Sequence, residues 1–246
     1  MVPLQYLDAV RGILDFLQET QLPAVEAAAD LVVHALSSGG AVFCGEIGHG
    51  NQGDFLNRAG GLAAVQPFKF GLGITDPVAK ALQDRPRPAP FERDLETIRF
   101  AMTASNLRAG DVLLVSSVSG KNRGPVEMAL AARDLGVKTI GFTAMPYTRQ
   151  VEALHPSGNK LFEVVDVVID CGAPYGDAAV DVPGYDFKLL PVSGVGMTVA
   201  GWLIWGHVIE KMVEAGTPPS VFMSINREGG KAYYDQSVAE YQRRGY

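Results

Sequence analysis

Cysteine is scarce in this 246-residue chain: Cys44 and Cys171 are its two thiols. No CxxC occurs, so no disulfide framework is expected. Each thiol ends an apolar run, the usual setting of a buried cysteine in a reducing compartment. Histidine is nearly as scarce, with four residues and no HxxxH or HExxH pair, so no metal site is expected. Basic runs are missing. The 21 Lys and Arg residues are outnumbered by 27 Asp and Glu, giving a formal net charge of −6 and a pI of about 5.2. That balance argues against nucleic acid and anionic membranes as partners, though a basic pocket fits inside an acidic shell. Long hydrophobic runs are missing too. The longest, around Val195 to Val208, contains Thr198, His207 and repeated glycines, which is too short and too glycine-rich for a membrane span. Asp8 and Asp15 interrupt the amino-terminal apolar residues, so these do not read as a signal peptide. Neither GxxxxGK[ST] nor GxSxG occurs, which speaks against P-loop and Ser-His-Asp hydrolase chemistry. A cytoplasmic protein without a cofactor is expected.

What is present is a core. Hydrophobic residues make up 47% and charged residues 20% of the chain, the balance of a packed globular protein. Apolar residues recur at helical spacing over Leu4–Leu17 and Val25–Leu36 and predict a helical pair within residues 1–38. Short apolar runs then predict strands at Ala41–Cys44, Leu62–Phe68, Asp111–Ser116, Val137–Thr143 and Asp166–Asp170. Helices are predicted from the first loop to about Arg58, over Leu95–Leu107, Pro125–Leu135 and Met197–Glu214, and from Tyr233 to Arg243. Alternating strands and helices predict an α/β fold, a parallel sheet covered on both faces, in one domain spanning 1–246. Residues 69–90, with Pro86, Pro88 and Pro90, read as an irregular, lid-like segment.

Ligands of such sheets bind at the carboxyl ends of the strands. The run Val112–Val115 leads directly into Ser116, Ser117, Ser119, Gly120, Lys121 and Asn122, ahead of a helix. Helix capping needs one polar residue, and this turn supplies several. Hydroxyls, helix amides and a lysine together suit a phosphate or another compact anion. The loop Gly45-Glu46-Ile47-Gly48-His49-Gly50, followed by Asp54, adds a carboxylate and an imidazole that can relay protons. His155 stands in a Pro-Ser-Gly turn, Asp177 in a Gly-Asp turn after a strand, and Ser193 opens the last long helix. His34 and His207 fall inside helical patterns and read as structural.

In this order the residues resemble the sugar isomerase (SIS) domain family of phosphosugar-binding proteins. The similarity is strongest to a branch of single-domain members with a GTGHS-type loop, an RAGGL segment, an SxSGxNxxPVEMA stretch, an RHxSGKxLxEVADVVID stretch and a GDA turn. Here these correspond to Gly45–Gly50, Arg58–Leu62, Ser117–Asn122 with Pro125–Ala129, His155–Leu161 with Glu163–Asp170, and Gly176–Ala178. The resemblance implies a three-layer α/β/α sandwich with a five-stranded parallel sheet of flavodoxin-like type, preceded by two helices. It implies a sugar phosphate with its phosphate on the Ser-x-Ser-Gly turn. It also implies a homodimer or homotetramer with sites near the subunit interface. The chain departs from the pattern in its first loop, which loses a serine and gains Glu46, a change that bears on how the sugar is oriented. The expected activity is aldose–ketose isomerisation of a sugar phosphate. Glu46, Asp54 and Asp177 are candidate bases, with His49 and His155 as candidate acids or ring openers. Gly45, Gly48, Ser116, Ser117, Ser119, Gly120, Lys121, Asn122 and Ser193 are candidate ligand-binding residues. A non-catalytic phosphosugar sensor and a sugar-phosphate lyase or etherase stand as alternatives.

Overall fold

The computed structural model describes residues 1–45, 52–86 and 94–246. In chain order the elements are α1 (Val2–Thr20), α2 (Leu22–Ser37), β1 (Val42–Gly45), α3 (Gln52–Phe55), β2 (Val65–Phe68), α4 (Asp94–Thr103), β3 (Val112–Ser116), α5 (Arg123–Asp134), β4 (Lys138–Thr143), α6 (Met145–Thr148) and β5 (Val167–Asp170). A hairpin of β6 (Ala178–Val180) and β7 (Leu189–Pro191) follows, then α7 (Ser193–Glu214) and α8 (Gly230–Arg244). The five-stranded sheet has the order β2-β1-β3-β4-β5 and every pairing is parallel. The strand order therefore reverses between β1 and β3.

Side-chain alternation along β3 builds two cores. Val112 and Leu114 face α1, α2 and α7, in a cluster with Ile13, Leu17, Ala28, Val32, Met197 and Ile204. Leu113 and Val115 face α4 and α5, in a cluster with Met102, Val126, Met128 and Ala129. A strand buried on both faces has no polar register, which is why β3 reads as an unbroken apolar run. Carboxylates pin the strand entrances. Asp111, fully buried, accepts from the Ala41 and Arg108 amides at 2.8 and 2.9 Å. Asp166 accepts from the Thr139 amide and hydroxyl and from Lys138. Partial burial alone would raise the Asp166 pKa, but these donors outweigh it and hold the carboxyl below its ordinary range.

Two expectations change. The helix expected to reach about Arg58 is a single turn, Gln52–Phe55. The chain leaves it through Asn57 and Gly60, both at positive φ. Strand β2 begins at Val65 because Leu62 pairs instead with Val221, and the Gly61 carbonyl accepts from the Phe222 amide at 2.9 Å. The β6–β7 hairpin has no counterpart in the sequence reading. Residues 71–86 are exposed and irregular apart from one 3-10 turn at Lys80–Leu82. The rest of the segment read as lid-like lies outside the described residues.

Helix α7 crosses the sheet's carboxyl end at close range. A Cβ at Gly196 would stand 2.3 Å from the Cys171 carbonyl oxygen, a backbone atom that cannot swing aside. Gly196→Ala is expected to lower stability by about 1–3 kcal/mol through overpacking, read as a shift in the urea midpoint. An unchanged midpoint would show that α7 is not held at this distance.

Candidate functional site

The carboxyl ends of β1 and β3 flank the point where strand order reverses, the position at which open α/β sheets bind ligands. A narrow crevice lies there, lined by Cys44, Gly45, Phe55, Ser116, Phe142 and Met197, among others. Burial pushes the Cys44 and Cys171 thiols up to about 12, so neither is a thiolate nucleophile at neutral pH. Next to the crevice the chain turns sharply. The Gly120 amide donates to the Ser117 carbonyl at 3.0 Å, and the Ser117 amide donates to Phe142 on β4 at 2.9 Å.

The polar groups of this turn are held ready but not used. Asn122 occupies the cap position of α5, yet its side chain makes no capping hydrogen bond. The Ser117 hydroxyl is 1% exposed and finds no hydrogen-bond partner. The Val118, Ser119 and Lys121 amides have no protein acceptor among the described residues. Lys121 is half-buried and has no carboxylate partner among the described residues, whereas Arg123 is tied to Asp94 at 2.7 Å. Buried donors without partners are costly, and a bound anion would satisfy them. Ser116, Ser119 and Gly120 are also buried here.

The turn is clasped from its far side. Leu154 and Leu161 donate their amides to the Lys121 and Gly120 carbonyls, at 3.0 and 2.8 Å. The Ala144 amide and the Thr143 hydroxyl donate to the Val118 carbonyl. Gly120 sits at φ +64, and a Cβ there would stand 2.4 Å from the Thr148 hydroxyl oxygen. The positive φ favours glycine, and the close approach of Thr148 leaves no space for a larger residue.

The remaining candidates divide. Asp54 on α3 lines an open cleft of about 490 Å³ with Tyr6, Ser193, Gly194 and Thr198, and the Thr198 hydroxyl lies 3.5 Å from its carboxylate. Asp177, expected as a base, instead caps α7. Its Oδ1 accepts from the Ser193 amide at 2.9 Å and its Oδ2 from the Ser193 hydroxyl at 2.8 Å. That pairing also commits Ser193, which is fully buried. His155, expected as an acid, is buried with both ring nitrogens facing protein. Nε2 meets Glu127 at 2.7 Å, and Nδ1 meets the Ser157 hydroxyl at 2.8 Å and the Ser157 amide at 3.1 Å. Both roles follow from local geometry that a list of residues does not carry. Glu46, Gly48 and His49 lie outside the described residues.

Sequence reasoning missed Glu127, Thr143 and Thr148. Glu127 had a signal: a lone acid inside the apolar face Val126-Glu127-Met128-Ala129. It also passed over the Gly48-x-Gly50-x-x-Gly53 spacing. That pattern marks a dinucleotide site only with an acid at the end of the next strand, and β2 ends at Phe68, followed by Lys69 and Phe70.

The family profile described as SIS domain matches residues 5–144. The chain belongs to the SIS domain family. It is 34% identical to a UPF0309 protein of Halalkalibacterium halodurans over 96% of each chain. It is 31% identical to a UPF0309 protein of Streptomyces griseus, over 98% of this chain and 95% of that one. Its fold is shared with a phosphoheptose isomerase from Francisella tularensis, at TM-score 0.50 and 16% identity, over 83% of this chain and 95% of that one. It is also shared with the sugar isomerase domain of an RpiR transcription factor from Sphaerobacter thermophilus, at TM-score 0.50 and 18% identity, over 98% of each chain. The SIS profile takes in β1 to β4 and the whole Ser117–Asn122 turn, while the start of α7 lies beyond it. Among the described residues no helix is long and apolar enough to cross a membrane, and no cluster of His, Cys, Asp and Glu could hold a metal.

Gly120→Ala adds a methyl at positive φ against Thr148, so the turn must open to accept it. The variant is expected to stay folded, since the conflict falls at the sheet's rim. If this turn holds an anion, affinity for inorganic phosphate should fall at least tenfold in calorimetry. Retained phosphate affinity would show that the geometry of this turn is not what binds.

Proposed function

We propose that this SIS protein binds a sugar phosphate and interconverts its aldose and ketose forms. The observation that carries the reading is the buried, unpartnered Ser117 hydroxyl beside free amides and Lys121, at the point where strand order reverses. In this reading the phosphate rests on the Ser117–Asn122 turn. The carbon chain runs past the crevice at Gly45 and Met197 toward the cleft that Asp54 lines.

The chemistry then needs a proton carrier and no electron transfer. After ring opening, a carboxylate removes the proton from the carbon next to the carbonyl, leaving an enediolate. A proton then passes from the carboxyl group, which exchanges with solvent, to the neighbouring carbon, while the hydroxyl proton crosses from one oxygen to the other. Asp54 is the base we assign. Of the described candidates it is the acid whose carboxylate opens into a cleft, since Asp177 is occupied as a cap. Thr198, at 3.5 Å from Asp54, is placed to orient the carboxylate. Holding the phosphate fixes the reacting carbons against Asp54, which is where most of the rate gain of such an enzyme arises.

A second reading, a sensor that binds the same ligand without turnover, is favoured by the structural commitment of both His155 and Asp177. The fold does not decide between the two, because an enzyme and a transcription factor domain share it. In either reading we expect a homodimer or homotetramer. The exposed Leu4, Leu7 and Leu14 on the outer face of α1 support burial against a second copy.

Three measurements separate these outcomes. A thermal-shift panel of sugar phosphates should raise the melting temperature where the unphosphorylated sugars do not, because binding stabilises by mass action. Ser117→Ala with Ser119→Ala should weaken the best hit by about 1–3 kcal/mol per lost charge-assisted bond; unchanged affinity overturns the phosphate assignment. In heavy water, the wild-type protein should wash deuterium into the substrate carbon next to the carbonyl. Asp54→Asn should bind and fail to do so. Exchange that survives in Asp54→Asn removes Asp54 as base, absence of exchange in the wild type favours the sensor, and a released acid or alcohol identifies a lyase or etherase.

A further inference from the structure

Glu127 and His155 meet where neither is expected. Their side chains are 4% and 5% exposed, and Nε2 lies 2.7 Å from Oε2. The hydrogen-bond pattern assigns the tautomer. The Ser157 amide donates to Nδ1 at 3.1 Å, so Nδ1 carries the lone pair and the ring proton is on Nε2. Nε2–H therefore donates to Glu127. The other oxygen of Glu127 meets Nε of Arg99 on α4, whose Nη1 also reaches Asp134 at 2.7 Å. The carboxylate is thus paired on both oxygens, as a buried charge must be.

The position of this pair matters more than its strength. Glu127 stands on α5, the helix that starts where the Ser117–Asn122 turn ends. His155 stands on the segment that clasps the turn from its other side, between Leu154, bonded to Lys121, and Leu161, bonded to Gly120. The contact therefore ties together the two flanks of one turn. Lys160 fastens the same segment to α6, donating to the Thr148 and Val151 carbonyls at 2.8 and 3.1 Å. Thr148 in turn packs against Gly120.

We propose that Glu127 and His155 are a positioning pair that sets the shape of the anion-binding turn without touching the ligand. The proposal rests on the reading of that turn as the phosphate site. It gives His155 a role other than proton transfer and gives Glu127 a role the sequence does not announce. Cutting the tie frees the clasp, and the turn's amides and Ser117 lose their common focus.

The test uses the full chain and two independent readouts. The first is amide hydrogen exchange without ligand, at Leu154 and Leu161 against the interior amides of β3. The second is affinity for inorganic phosphate by calorimetry. In His155→Ala, exchange at Leu154 and Leu161 should rise at least tenfold while β3 stays protected, and phosphate affinity should fall about tenfold. His155→Gln, whose amide can still donate to Glu127, should recover most of both effects. Parallel loss of protection in the clasp and in β3 would reduce the pair to general stabilisation and overturn the proposal. Unchanged exchange at the clasp, or equal effects of Ala and Gln, would overturn it as well. A wild-type protein that ignores phosphate, yet shows the exchange response, would sink the phosphate reading and leave the tie standing. Should His155→Ala not fold, Arg99→Ala strips Glu127 of its cation from the protein surface and should give the same pattern in weaker form.

Discussion

Everything at the rim of this sheet depends on how closely Gly120 lies against Thr148. The turn after β3 has to fold back under the end of β4 so that Ser117 and the neighbouring amides converge. It does so at φ +64, with no room for a side chain. That constraint selects glycine. It also fixes the Lys121 and Gly120 carbonyls where Leu154 and Leu161 reach them. The free donors of the turn are a consequence. The Val118, Gly120 and Lys121 carbonyls are engaged by Ala144, Leu161 and Leu154, while the Val118, Ser119 and Lys121 amides and the Ser117 hydroxyl have no partner among the described residues. A surface built from leftover donors has a chemical preference for anions before any charged residue is counted.

The second half of the site comes from the other face of the sheet. Helix α7 reaches the sheet's end because Gly196 lets it lie against Cys171, and its first turn is held by Asp177. The cap is non-local, from a turn at φ +68 ahead of the β6–β7 hairpin. It places Ser193, Gly194 and Thr198 along the cleft facing Asp54. An aspartate that looks like a base in the sequence is thus the reason the helix starts where it does. The cost of removing it would appear as a displaced α7 and a distorted cleft, which a loss of activity alone would not distinguish from lost catalysis.

What the sequence made legible follows from where its information is local. The apolar run of β3 and the polar turn behind it sit side by side, so strand and turn were readable together. The five strands were readable as short apolar runs, and β3 most plainly, because a doubly covered strand has no polar alternation to confuse. Other features depend on partners far along the chain. Leu62 pairs with Val221 and shortens β2, and Asn57 at positive φ cuts α3 to one turn. His155 needs Glu127 before its role can be judged, and Asp177 needs Ser193. In each case the residue type was right for chemistry, and a contact over 15 or more positions gave it to the scaffold. Glu127 was the reverse case, a lone acid in an apolar helix face whose signal the sequence reading passed over.

In the proposed reading, holding the phosphate and selecting the sugar fall to different parts of the chain. The turn, β4 and Gly120 fall within the SIS domain match at residues 5–144, and the clasp at residues 154–161 follows it. Asp54 falls within it too, but the wall opposite, on α7, does not. A phosphate group is common to many ligands, and a geometry that holds it asks nothing of the sugar. In the isomerase reading, we expect the sugar to be met by α7 and by the chain that follows β1. Glu46 follows Gly45 in the sequence, and Gly45 lines the crevice. In the isomerase reading, selectivity among sugar phosphates is then a property of the α7 wall and the β1 loop, and affinity is a property of the turn. Exchanging Thr198 and Val195 should alter which sugar phosphate is preferred while leaving affinity for inorganic phosphate unchanged. Loss of both together would mean that the two halves of the site are one mechanical unit.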